Sequence, residues 1–129
     1  MTVAGCLAFM PVSRILSFGR FRSKCVYLRS LWEPDRLNEL PGGVKITVTQ
    51  SNGVYSKKIT FQTSDLTPEM IDLLSSYRGE RFVMTYSDER SRQRVCGSPE
   101  YPLALEFTEN GGCLNVVITG NSPYPDLFL

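Results

Sequence analysis

The sequence predicts a mainly β domain with one short helix, built as two packed antiparallel sheets or a split barrel with the helix on its flank. Three observations carry this. Polar and apolar residues alternate with period two over most of the chain. Glycine-containing turn signals separate the alternating runs. A single stretch, TSDLTPEMIDLLSSYRGER, switches to helical spacing. Its 129 residues suit a single domain, 1–129, large enough to bury roughly two-thirds of its unfolded surface.

The opening MTVAGC imitates a lipoprotein cleavage site, yet only Met1 and Thr2 precede Val3, so no basic region or apolar stretch leads into it. The apolar residues follow Cys6 instead, and Pro11 and Arg14 interrupt them far short of the roughly 20 needed to cross a bilayer. Residues 5–12 are therefore expected to form an early buried strand in an unlipidated, cytosolic chain.

Next comes a basic strip. Residues 1–32 contain Arg14, Arg20, Arg22, Lys24 and Arg29 with no acid, whereas residues 33–129 hold nine bases and thirteen acids. Arg20, Arg22 and Lys24 alternate, so on one strand they share a face, which suits a phosphate-facing strip or a self-assembly patch. Trp32, the only tryptophan, stands at the root of WEPDRLNELPGG, residues 32–43, which reads as a long irregular loop. Core filler and interface anchor are both open to it.

VKITVTQ-SNG-VYSKKITFQ then reads as a hairpin turning at Asn52-Gly53, where both residue types tolerate positive φ. Tyr55, Lys57, Ile59 and Phe61 fall on one face of its second strand. In the helix, Thr67 is the N-cap, Pro68 takes the first position and Glu69 meets the dipole. Met70, Ile71, Leu73, Leu74 and Tyr77 make the buried stripe, and Gly79 ends it. RFVMTYS follows, with Phe82, Met84 and Tyr86 on one face, then a charged turn and a return strand through Arg94-Val95-Cys96. Arg90, Arg92 and Arg94 alternate there, able to meet phosphate or to pair with Asp88 and Glu89. After Gly97-Ser98-Pro99, LALEFTE and CLNVVIT form a last hairpin around Asn110-Gly111-Gly112. The tail, 120–129, ends in Leu127-Phe128-Leu129, an apolar terminus expected to dock on its own core or a neighbouring subunit.

Chemistry is mostly excluded. Histidine is absent, which removes histidine-based triads, histidine-ligated metals and the usual neutral-pH proton shuttle. Cys6, Cys25, Cys96 and Cys113 contain no close pair of the zinc-binding kind and are expected to be reduced. No glycine-rich loop leads from a strand into a helix. The expectation is no enzyme: no catalytic residue, no cofactor, no metal, no small-molecule substrate and no membrane. Seven or eight strands exceed a minimal five-stranded OB barrel, which favours the sandwich, with an OB-like single-strand-binding module as the alternative.

The stretches FMPVSRILSF, Trp32 ahead of its long loop, and RFVMTYSDERSRQRVCGSPEYPLALEF resemble small structural proteins of the tail gene clusters of bacteriophages and prophages of gut Bacteroidetes. The resemblance implies a tail tube, tail terminator or head–tail connector subunit, located in the virion and in the host cytoplasm before assembly. Its partners would be copies of itself and other virion proteins, with possible contact to DNA in a lumen. The expected assembly or nucleic-acid contacts are Arg14, Arg20, Arg22, Lys24, Arg29, Trp32, Leu127, Phe128 and Leu129.

Overall fold

The computed structural model describes residues 2–3, 6–21, 25–31, 33–38, 43–88 and 90–129, the side chains of Thr2, Val3, Cys6 and Asn38 excepted. The strands are β1 (Thr2–Val3), β2 (Cys6–Pro11), β3 (Ile15–Phe21), β4 (Cys25–Ser30), β5 (Asp35–Asn38), β6 (Val44–Ser51), β7 (Val54–Thr63), β8 (Phe82–Ser87), β9 (Gln93–Cys96), β10 (Ala104–Asn110), β11 (Cys113–Ser122) and β12 (Leu127–Phe128). A 3-10 turn, Val12–Arg14, joins β2 to β3, and the helix α1, Pro68–Arg78, lies between β7 and β8.

Two sheets result, in the mainly β arrangement with one helix that the alternation predicts. One has the order β1-β6-β7-β11-β10; the other, strongly curled, runs β3-β4-β12-β9-β8-β2-β5. Among the described residues, all pairings are antiparallel except β12 with β4. The OB-like alternative is not what forms, since strands that would have to close one barrel divide between two sheets.

The β6–β7 hairpin turns where the sequence placed it. Asn52 and Gly53 have φ of 53° and 78°, the doubly left-handed backbone whose twist matches the flanking strands. Thr67 caps α1 by accepting from the Met70 N–H, a contact worth about 1 kcal/mol. The helix buries Leu74 and Tyr77, and Tyr77 packs edge-on against Phe82 while tilted against Phe9. Its hydroxyl donates to Asp35 Oδ2 at 2.5 Å and lies 3.3 Å from the Phe9 carbonyl. Burial and this carboxylate push the phenol's pKa up, so Tyr77 is a neutral donor.

The main core lies between the sheets, where Leu7, Phe9, Ile46, Ile59, Phe82, Met84, Leu105, Val116 and Ile118 meet. Both faces of β8 are covered, because Val83 joins Val26, Val95 and Leu127 in a second cluster on the other side of the curled sheet. Ile15, Phe18 and Leu28 of the β3–β4 hairpin close over that cluster. Gly120 sits where β11 passes Leu103, and a Cβ there would fall 2.5 Å from Leu103 Cδ2, so a side chain would require the Leu103 side chain to shift.

Two expectations need correction. The 32–43 loop is not wholly irregular: Asp35–Asn38 pairs with β2 as an edge strand, since Leu37 is buried opposite Leu7. The tail docks inside its own subunit. Leu127 is buried opposite Val95, and Phe128 pairs with Arg94 on one side and Cys25 on the other. Leu127 and Phe128 are therefore strand residues of the fold, and only Leu129, 54% exposed, is left at the surface.

Candidate functional site

One end of the sandwich carries a polar cluster that its two sheets build together. Lys57 belongs to the inward face of β7, in phase with Ile59 and Phe61, and is only 4% exposed. Its Nζ lies 2.7 Å from Oδ1 of Asp126, the tail residue just before β12. That oxygen accepts no well-angled hydrogen bond, so the ion pair is its compensation. Oδ2 accepts from the Tyr86 hydroxyl at 2.6 Å, and Arg94 Nη1 donates to the Asp126 carbonyl at 3.0 Å. Burial, with Asp126 beside it, raises the Tyr86 phenol, and burial likewise pushes the Cys96 thiol up well above its ordinary value. Both stay protonated at neutral pH, and the cluster is a donor-rich lock around Asp126.

Above the lock opens a cleft of about 720 Å3, lined by Ile46, Thr47, Val48 and Tyr55 on one side and by Tyr86, Asp88, Arg90, Arg92 and Arg94 on the other. Pro125 and Asp126 lie between. Asp88 organises the arginines. Its Oδ1 accepts from the backbone N–H groups of Arg90 and Arg92, and its Oδ2 from the Nε atoms of Arg92 and Arg94, at 3.2 and 3.1 Å. The Arg92 and Arg94 guanidinium groups also stack over the Phe128 ring, 4.6 and 4.2 Å from its centroid.

Partial desolvation would raise the Asp88 pKa, but the Arg92 and Arg90 N–H groups and the Arg94 and Arg92 guanidinium groups outweigh it, bringing it to about 2. The folded pKa is depressed, so its stabilisation is present in full above the ordinary value near 3.8 and is lost as pH falls through about 2. Asp88→Asn should therefore be less stable than wild type above about pH 4, with the difference closing toward pH 2. Thermal unfolding across that range checks it, and a gap that persisted undiminished at pH 2 would refute the assignment.

The predicted contacts scatter. Arg14 pairs with Asp35 at 3.6 Å. Arg20 is drawn inward: it lies 3.7 Å over the Tyr124 ring and 3.9 Å from Glu100, so its charge is already engaged. Arg29 is exposed, on the same hairpin face as Phe21 and Tyr27. Arg22, Lys24 and Trp32 lie outside the described residues.

Sequence reasoning missed Lys57 and Asp126. The signal for Lys57 was its phase, a lysine alternating with buried apolar residues. For Asp126 there was none, since its partner is 69 residues away. No group of three or more histidine, cysteine or acidic side chains is placed to hold a metal among the described residues. No described helix is long and apolar enough to cross a membrane. Comparison with family models, curated proteins and solved structures finds no match.

Proposed function

We propose that this protein is a structural assembly subunit that associates with copies of itself, of the ring-forming virion kind that its sequence resembles. One observation carries the reading. The β3–β4 hairpin forms the edge of the curled sheet, and it displays Leu16, Phe21, Tyr27 and Leu31, each more than half exposed. Phe21 and Tyr27 lie on the face opposite the second core cluster, beside Arg29. An open edge strand bearing large apolar side chains is costly to leave in water and ready to pair.

A second copy suits this surface by charge. Around α1 and β10 lie Asp65, Glu69, Asp72, Glu80, Glu106 and Glu109, against Arg78 and Arg81. An apolar edge with Arg29 on its exposed face, and an acidic flank on the same chain, favour heterologous contact, in which different surfaces of successive copies meet. Such contacts close into rings or continue as tubes. In this reading, partners are further virion proteins and no small molecule is turned over.

Light scattering over a concentration series tests it. Wild type should have a mass that is a multiple of the monomer, and Phe21→Ser with Tyr27→Ser should return it to monomer without loss of folded signal. A wild type that stays monomeric at every concentration would overturn the reading.

A further inference from the structure

We propose that the cleft between the sheets binds a small amphipathic carboxylate, an organic acid whose apolar body lies on the β6–β7 wall while its carboxylate meets the arginines opposite. This goes beyond the assembly reading and uses a different surface from the β3–β4 hairpin.

The apolar wall is an inward sheet face that runs past the end of the core. Ile46 pairs with Ile59 and Val48 with Lys57, so Ile46, Val48 and Tyr55 share the face that carries Ile59 and Phe61 into the interior. Ile46 is closed over by the main core, whereas Val48, two residues on, is 46% exposed. The cleft opens at that point. Its volume of about 720 Å3 falls in the range of pockets that enclose small ligands, roughly 300–1,000 Å3. An apolar ligand body seated there takes the Val48 and Tyr55 side chains out of water, which favours binding.

The opposite wall is cationic. Asp88 and the Phe128 ring hold Arg92 and Arg94 in place before any ligand arrives, which lowers the ordering cost of binding. Among the described residues, Arg92 commits only its Nε to a side-chain hydrogen bond, leaving the donors on its two terminal nitrogens. Lys57 and Asp126 neutralise each other, so the described lining sets the guanidinium groups of Arg90, Arg92 and Arg94 against the one carboxylate of Asp88. That excess calls for an anion, and a planar carboxylate accepts two parallel hydrogen bonds from a guanidinium fork. A wholly polar anion would leave the Val48 wall wet, and a wholly apolar ligand would strip water from the guanidinium groups without replacing it. An amphipathic acid meets both walls.

Methyl NMR of the full chain titrated with naphthoate tests this, with naphthamide as the uncharged control of the same shape. Saturable binding with a Kd below about 1 mM is expected, with the largest shifts at the Ile46 and Val48 methyl groups. Naphthamide should bind at least about ten-fold more weakly. Val48→Glu, at an exposed position, puts an anion opposite the arginines and should weaken naphthoate by at least about ten-fold; should that variant fold poorly, the amide control still decides. Absence of saturable binding, equal binding of the amide, indifference to Val48→Glu, or displacement by an oligodeoxythymidine would each overturn the proposal. So would shifts centred on Leu16, Leu28 and Leu31, which would place the ligand on the β3–β4 hairpin. Running the same titration on Phe21→Ser with Tyr27→Ser separates its failure from failure of assembly.

Discussion

Asp126→Ala is expected to cost about 3–5 kcal/mol of folding stability, the range for removing one partner of a buried ion pair. The loss comes from what remains. Lys57, 4% exposed, would lose its anionic partner, and the Tyr86 hydroxyl would lose its acceptor at 2.6 Å. Both groups are buried in the fold, Lys57 on the inward face of β7 and Tyr86 on a buried strand at the floor of the cleft. Replacing the pair together, Lys57→Met with Asp126→Leu, should recover most of the loss, since paired apolar side chains of similar volume often match a buried ion pair. Urea unfolding measures both. A single variant within about 1 kcal/mol of wild type would show that Lys57 reaches solvent and that the lock is not load on the fold.

Deleting residues 123–129 should abolish the folded state. β12 is short, but it stands between β4 and β9, so the β3–β4 hairpin joins the curled sheet through it. Removing it would uncover Val26, Val83 and Val95 in the second cluster and leave Lys57 unpaired at the same time. The expected outcome is an insoluble chain, or a soluble one lacking near-ultraviolet circular dichroism. Leu127→Asp tests the same contact without shortening the chain, by placing a charge in that cluster. A truncated protein that remained soluble, folded and monomeric would place the tail back on a neighbour's surface.

These expectations depend on long-range contacts, and that divides what was legible in the sequence from what was not. The β6–β7 hairpin, α1 with its Thr67 cap, and the β10–β11 hairpin follow from local rules: alternation, turn residues and cap chemistry act over a few neighbouring positions. The one-helix, mainly β class follows from the same rules. β5 was not legible, because Asp35–Asn38 becomes a strand only through pairing with β2, and four residues between prolines and glycines give no periodic signal of their own.

The cleft was half legible. Arg90, Arg92 and Arg94 announced a row of cations, and Asp88 was a nearby partner for them in the same turn. That Asp88 accepts four hydrogen bonds, and that Phe128 arrives beneath two of the guanidinium groups, required the tail to come back across the sheet.

The sequence by itself determined the class of fold, the single helix and the absence of histidine chemistry, since composition and short-range periodicity suffice for each. Tertiary structure alone decided that the tail is a core strand, that Lys57 and Asp126 are partners, and that Arg20 is engaged while the hairpin's apolar side chains stay in water. Each of those outcomes depends on which of many possible strand pairings is made. Backbone hydrogen bonding is nearly the same for all of them, so the choice falls to the burial of side chains far apart in the chain.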